Sequence, residues 1–181
     1  MRIIHLISGG DVGGAKTHVL SLLSGLNKTE TVHLVCFMDG AFAQEARQLG
    51  ISVSIIPGRN PFGVCNSIQA LIKEGQYELI HCHGSRANMI GSMLRGRVRL
   101  PVITTVHSDY RLDYLGRFFS RITYGTINKI ALRNLDYHIG VSDAMTELLI
   151  RRGFDPQKLF SIYNGVEFSP VTPAMSRQEY L

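Results

Sequence analysis

The chain has 181 residues, 45% of them hydrophobic, which suits one well-filled domain with the edge of a second and excludes wholesale disorder. A formal charge of +5 points to anionic partners. No apolar run approaches the roughly 18 residues of a membrane span, the apolar start Ile3–Ile7 is too short for a signal segment, and the scattered Cys36, Cys65 and Cys82 suit a reducing compartment. A soluble cytoplasmic protein is expected.

In chain order, Arg2–Ile7 reads as a strand, and "SGGDVGG" then leads into a helix over 13–26 with Val19, Leu20, Leu22, Leu23 and Leu26 on its apolar face. Further strands are expected at Thr31–Phe37, Ser52–Ile56, Leu79–Cys82, Val102–Val106, Tyr137–Val141 and Leu159–Tyr163, with helices near 41–49, 63–74, 85–96, 114–134 and 143–152 between them. Runs such as "HLVCF", "PVITTV" and "YHIGV" are apolar on both faces, as strands covered from both sides are. The alternation predicts an α/β fold: a Rossmann-like, doubly wound, mainly parallel sheet of about seven strands with helices on both faces.

In such sheets the ligand crevice lies beyond the carboxyl ends of the strands, so the segments after each strand are the ones that bear function. Gly13 and Gly14 open the first helix, where unpaired amides and the positive dipole end can meet an anion. Gly10 to Thr17 miss a nucleoside-triphosphate loop by one residue, Ala15 standing where glycine is required. The dinucleotide pattern fails too, because Asp11 occupies its second glycine position. In "HCHGSRAN", His81 and His83 share a strand face and could pair on a metal, but two side chains without a nearby carboxylate do not make a zinc site. His83 at the strand end is the better cleft candidate and His81 the better core histidine. His107 follows "VITTV" directly, with an imidazole suited to hydroxyl recognition or proton transfer; capping the next turn is the plain alternative. Ser142 is placed to cap a helix over 143–152 that Gly153 ends. From Arg86 to Leu135 basic residues outnumber acids, which reads as a solvated face or a contact with anions. Within this stretch "YLGRFFSRITYGTINKIALR" is amphipathic and basic, a candidate for peripheral membrane contact through 111–133, with packing on the domain core as the alternative.

The stretches "GGDVGGAKTHVLSLLSGL", "ELIHCHGSRANMIGSMLR", "PVITTVHSDY" and "DYHIGVSDAMTELLIRRGFDPQKLFSIYNGVE" together resemble the N-terminal half of group 1 (family 4) retaining glycosyltransferases of the GT-B fold. The resemblance implies an acceptor-side domain over 1–168 and a linker over 169–181 toward a C-terminal donor-binding domain that this chain lacks. It implies transfer of a sugar from a nucleotide diphosphate to an acceptor hydroxyl with retention, by this chain only together with that second half. Carried over by position, Gly13 and Gly14 approach the donor diphosphate and His107 faces the acceptor and the reacting sugar. Asp11, His83, Arg86, Ser142 and Asn164 fall on the cleft rim. The implied partners are a nucleotide sugar and a glycan, lipid-linked or small-molecule acceptor, with no nucleic acid, no metal and no cofactor. One departure is plain: the family's second half carries two glutamates eight positions apart, and no such pair occurs here. The rival readings are a sugar-nucleotide 2-epimerase half, a non-enzymatic acceptor-binding module and, least favoured, a phosphate-loop nucleotidase.

Overall fold

Seven strands form one all-parallel sheet in the order β3-β2-β1-β4-β5-β6-β7 in a computed structural model, which describes residues 1–10, 14–109 and 127–165, with backbone only at 14 and 15. The strands are β1 (Arg2–Ile7), β2 (Thr31–Cys36), β3 (Ser52–Ile55), β4 (Leu79–His83), β5 (Val102–Val106), β6 (Tyr137–Gly140) and β7 (Leu159–Ser161). The helices are α1 (Gly14–Leu26), α2 (Ala41–Gln48), α3 (Pro61–Gly75), α4 (Ser85–Arg95), α5 (described over 127–133) and α6 (Asp143–Arg151). The doubly wound α/β architecture expected from the alternation is the one observed.

Strand parity sorts the core into two layers. Ile4 and Leu6 of β1 and Ile80 and Cys82 of β4 pack against Val64 and Ile68 of α3 and Ile90 and Leu94 of α4. Ile7 of β1 and Leu34 and Cys36 of β2 meet Val19, Leu20 and Leu23 of α1 and Phe42, Ala43 and Ala46 of α2 on the other face. Side chains alternate across a strand, so His5, between Leu6 and Ile4, faces the α1 side, as do His81 and His83 of β4. A third cluster joins Val106, Leu132, Leu149, Phe154 and Leu159, where α5 and α6 cover the far strands.

The element limits differ from the expected ones for local reasons. α3 begins at Pro61, not at 63, because the Asn60 side chain accepts from the Phe62 amide and Pro61 fills a first-turn position that needs no donor. β4 runs on to His83, which keeps parallel register with Ile7 and Thr105 on either side. β7 is shorter than expected. Residues 110–126, which hold most of the basic amphipathic segment, lie outside the described residues, as does the expected linker over 169–181. Among the described residues no helix is long and apolar enough to cross a membrane.

Candidate active site

The strand order turns outward in both directions from the β1–β4 pair, and this reversal is where parallel α/β sheets open a crevice at their carboxyl ends. Two glycines with left-handed backbones flank it, Gly9 after β1 (φ 90) and Gly84 after β4 (φ 82). At Gly9 a side chain is doubly excluded, because a Cβ would also come within 2.6 Å of the Met38 carbonyl oxygen. The chain thus turns tightly off β1 before it reaches Gly14, the first residue of α1.

Five histidines converge on the α1 face of the sheet around β1, β4 and the end of β5. His5 Nδ1 and His83 Nε2 are 3.1 Å apart in a hydrogen bond between β1 and β4, and His81 Nε2 lies 2.8 Å from Thr105 Oγ1 on β5. Above them the His107 ring meets His18 of α1 edge-on at 4.7 Å between centroids, with the His83 ring 6.4 Å from His107. Burial holds every one of these imidazoles below its ordinary pKa. His5 is pushed down to about 3 and His107 to about 4, the nearby His18 adding to the effect at His107. His81 and His83 lie well below the usual value, first through burial and then through their histidine neighbours. At neutral pH all five are uncharged, each with one N–H to donate and one nitrogen to accept. Four ring nitrogens in the cluster, His5 Nε2, His18 Nε2, His83 Nδ1 and His107 Nε2, are buried without a hydrogen-bond partner. Neutral imidazoles with spare nitrogens suit hydroxyl groups. A diphosphate needs positive potential, and the α1 amino end supplies that kind of field.

The structure places the sequence-derived candidates unevenly. His107 stands at the end of β5 and reaches α1 through His18, so it shares the crevice side with the helix that Gly14 opens. His83 closes β4 and is 2% exposed, which puts its ring in the crevice floor and not on its rim. Arg86, in the first turn of α4, spends its guanidinium elsewhere: Nη2 donates to the Gly58 carbonyl at 2.7 Å and the group lies over the Phe37 ring. Ser142 caps α6, its hydroxyl accepting from the Met145 amide at 3.2 Å. Asn164 is exposed beyond β7. Asp11 and Gly13 lie outside the described residues.

Sequence reading missed His5, His18 and Thr105. His5 alternates with apolar neighbours inside a strand, and His18 sits one position before the apolar face of α1, so neither differs in pattern from an ordinary core or boundary residue. Their proximity to His83 and His107 appears only once β1, β4 and β5 pair. An ion pair that spacing could not reveal also fixes the neighbouring loop: the Arg152 guanidinium at the end of α6 holds the Asp109 carboxylate through both nitrogens, two residues after His107.

Comparison with known proteins agrees with this architecture. In sequence the chain is 25% identical over 113 residues to the Escherichia coli UDP-Gal:alpha-D-GlcNAc-diphosphoundecaprenol alpha-1,3-galactosyltransferase, an alignment covering 61% of this chain and 29% of that enzyme. In structure it is similar to Anabaena HepE in complex with UDP-glucose (TM-score 0.74, 21% identity, 94% of this chain and 47% of that one). It is also similar to UDP-GlcNAc 2-epimerase from Neisseria meningitidis bound to UDP-GlcNAc (TM-score 0.67, 10% identity, 91% and 47%). The chain therefore spans about half the length of these solved structures. The family model for Glycosyltransferase Family 4 matches residues 12–169, and the chain belongs to that family.

Proposed function

We propose that this chain is the N-terminal, acceptor-side half of a retaining glycosyltransferase that moves a sugar from a uridine-diphosphate donor to an acceptor hydroxyl. The observation that carries the reading is the strand-order reversal at β1 and β4 of a family 4 domain, with the His107 ring against His18 of α1, the helix whose amino end would face the donor diphosphate. Gly13 and Gly14 let that diphosphate approach the backbone. The uncharged His107 orients the acceptor hydroxyl or a hydroxyl of the reacting sugar. In the proposed step the bond from the anomeric carbon to the diphosphate oxygen breaks as the acceptor oxygen bonds that carbon from the same face. The hydroxyl proton passes to the departing diphosphate. His107 forms no covalent bond, and the step uses no metal.

Support for the donor class comes from HepE, whose structure holds UDP-glucose, and from the galactosyltransferase, whose name specifies UDP-Gal and a lipid-diphosphate-linked acceptor. In this reading residues 1–168 form the acceptor-side domain and 169–181 lead into a donor-binding domain, whose charges hold the leaving group. The basic segment over 111–133 touches an anionic membrane surface that presents such an acceptor.

The test is a transfer assay on the chain joined to a family 4 donor-binding domain, with UDP-glucose and UDP-galactose as donors. UDP release with a product of unchanged anomeric configuration is expected. An inverted product would overturn the retaining reading. A donor recovered with altered configuration at C2 and no transfer would favour the epimerase reading, which the likeness to the Neisseria enzyme keeps in play.

A further inference from the structure

We propose that His5, His81 and His83 form a binding site for one divalent transition metal, zinc being the best match, buried on the α1 face of the sheet, with a water molecule as the fourth ligand. These three histidines each offer a ligand-capable nitrogen, and the three atoms lie within 4.8 Å of one another. The residues are 0%, 5% and 2% exposed, so water does not compete for them from bulk.

Chemistry selects the ligand. The cluster contains imidazoles and no carboxylate, a donor set that suits zinc, copper, nickel or iron and not the oxygen-seeking calcium or magnesium. Burial keeps all three rings neutral, the form that binds metal. Tetrahedral zinc with bonds of roughly 2.0–2.1 Å sets its nitrogens about 3.3 Å apart. The His5–His83 pair already stands at 3.1 Å, so metal would replace that hydrogen bond, and the remaining closure is a matter of ring rotation on strands that hold His5 directly beside His81. An outer partner is in place as well: Thr105 Oγ1 lies 2.8 Å from His81 Nε2, fixing that ring and leaving its Nδ1 available. The site is distinct from the proposed transfer step, which His107 and α1 serve.

The experiment uses the tag-free 181-residue chain. Purified from zinc-supplemented medium and dialysed, it should retain about one zinc per chain. Cobalt should replace the zinc and give the intense visible absorption of four-coordinate cobalt, and added zinc should raise the Tm of chelator-treated protein. His5→Asn and His83→Asn should each abolish retention, Thr105→Val should weaken binding about 10–100-fold, and His33→Gln should leave it unchanged. Equal zinc retention in His83→Asn would overturn the proposal. So would a wild-type chain that takes up neither zinc nor cobalt in excess, a result that needs no variant to fold.

Discussion

At the residue scale, His107 and Gly9 each follow a strand end and are each constrained by what surrounds them. Burial, with His18 beside it, holds His107 at about 4, so its imidazole stays neutral throughout the physiological range. If the proposed role holds, replacing it with Ala in the chain joined to a donor-binding domain should lower kcat by about 100-fold or more, while Gln, which keeps a donor and an acceptor, should recover part of that. Equal activity of the Ala variant would remove His107 from the site. Gly9→Ala should destabilise the chain by at least about 1–3 kcal/mol in denaturant unfolding, because the new Cβ meets both a left-handed backbone and the Met38 carbonyl. The position of His107 at a strand end was legible in the sequence because the apolar run of β5 stops directly before it. Gly9 was not legible, since "SGG" offers two glycines and only the fold shows which one carries the turn.

At the scale of elements, the strands were legible to within a few residues because each is a short apolar run bounded by turn residues, and most helix limits followed from their caps. The departures are local. Asn60 and Pro61 start α3 earlier than its apolar periodicity does, and register with Ile7 and Thr105 carries β4 on to His83. Ser142 was read as both a cap and a cleft residue, and its cap bond is the contact seen in the structure. Ser142→Ala should therefore cost about 0.5–2 kcal/mol of stability, with Ser142→Asp restoring most of it; unchanged stability on Ala substitution would deny the cap. The buried and half-buried histidines tie several elements to pH. Burial lowers His107, His18 and His138 below the ordinary value of 6.5, and His5, His81 and His83 shift in the same sense. Below about pH 6.5 the unfolded chain then binds more protons than the folded one, so stability falls as pH falls and is insensitive to these groups above that value. Thermal melts of metal-free protein should show Tm declining from near pH 6.5 downward, above the carboxylate range. A Tm that stays level to pH 4.5 would contradict this.

For the whole molecule, alternation of strand and helix was enough to read the doubly wound fold, because a parallel sheet needs a crossover after every strand and each crossover here carries its own apolar face. The site was legible only in part. Crevice loops can be read from strand ends, but His5, His81, His83 and Thr105 become neighbours through pairing of three strands that are distant in sequence. Membership of Glycosyltransferase Family 4 and coverage of about half of similar solved structures support the proposal that this domain supplies one wall of a transfer site and that a second domain supplies the groups that stabilise the departing diphosphate. Calorimetry with UDP-glucose and UDP-galactose on the 181-residue chain, run beside a transfer assay on the chain alone and on the chain joined to a donor-binding domain, tests this division of roles. The expected result is a Kd of about 1 mM or weaker with no turnover for the chain alone, near −4 kcal/mol, and turnover once the domains are joined. Micromolar donor binding with sugar transfer by the isolated chain would contradict it.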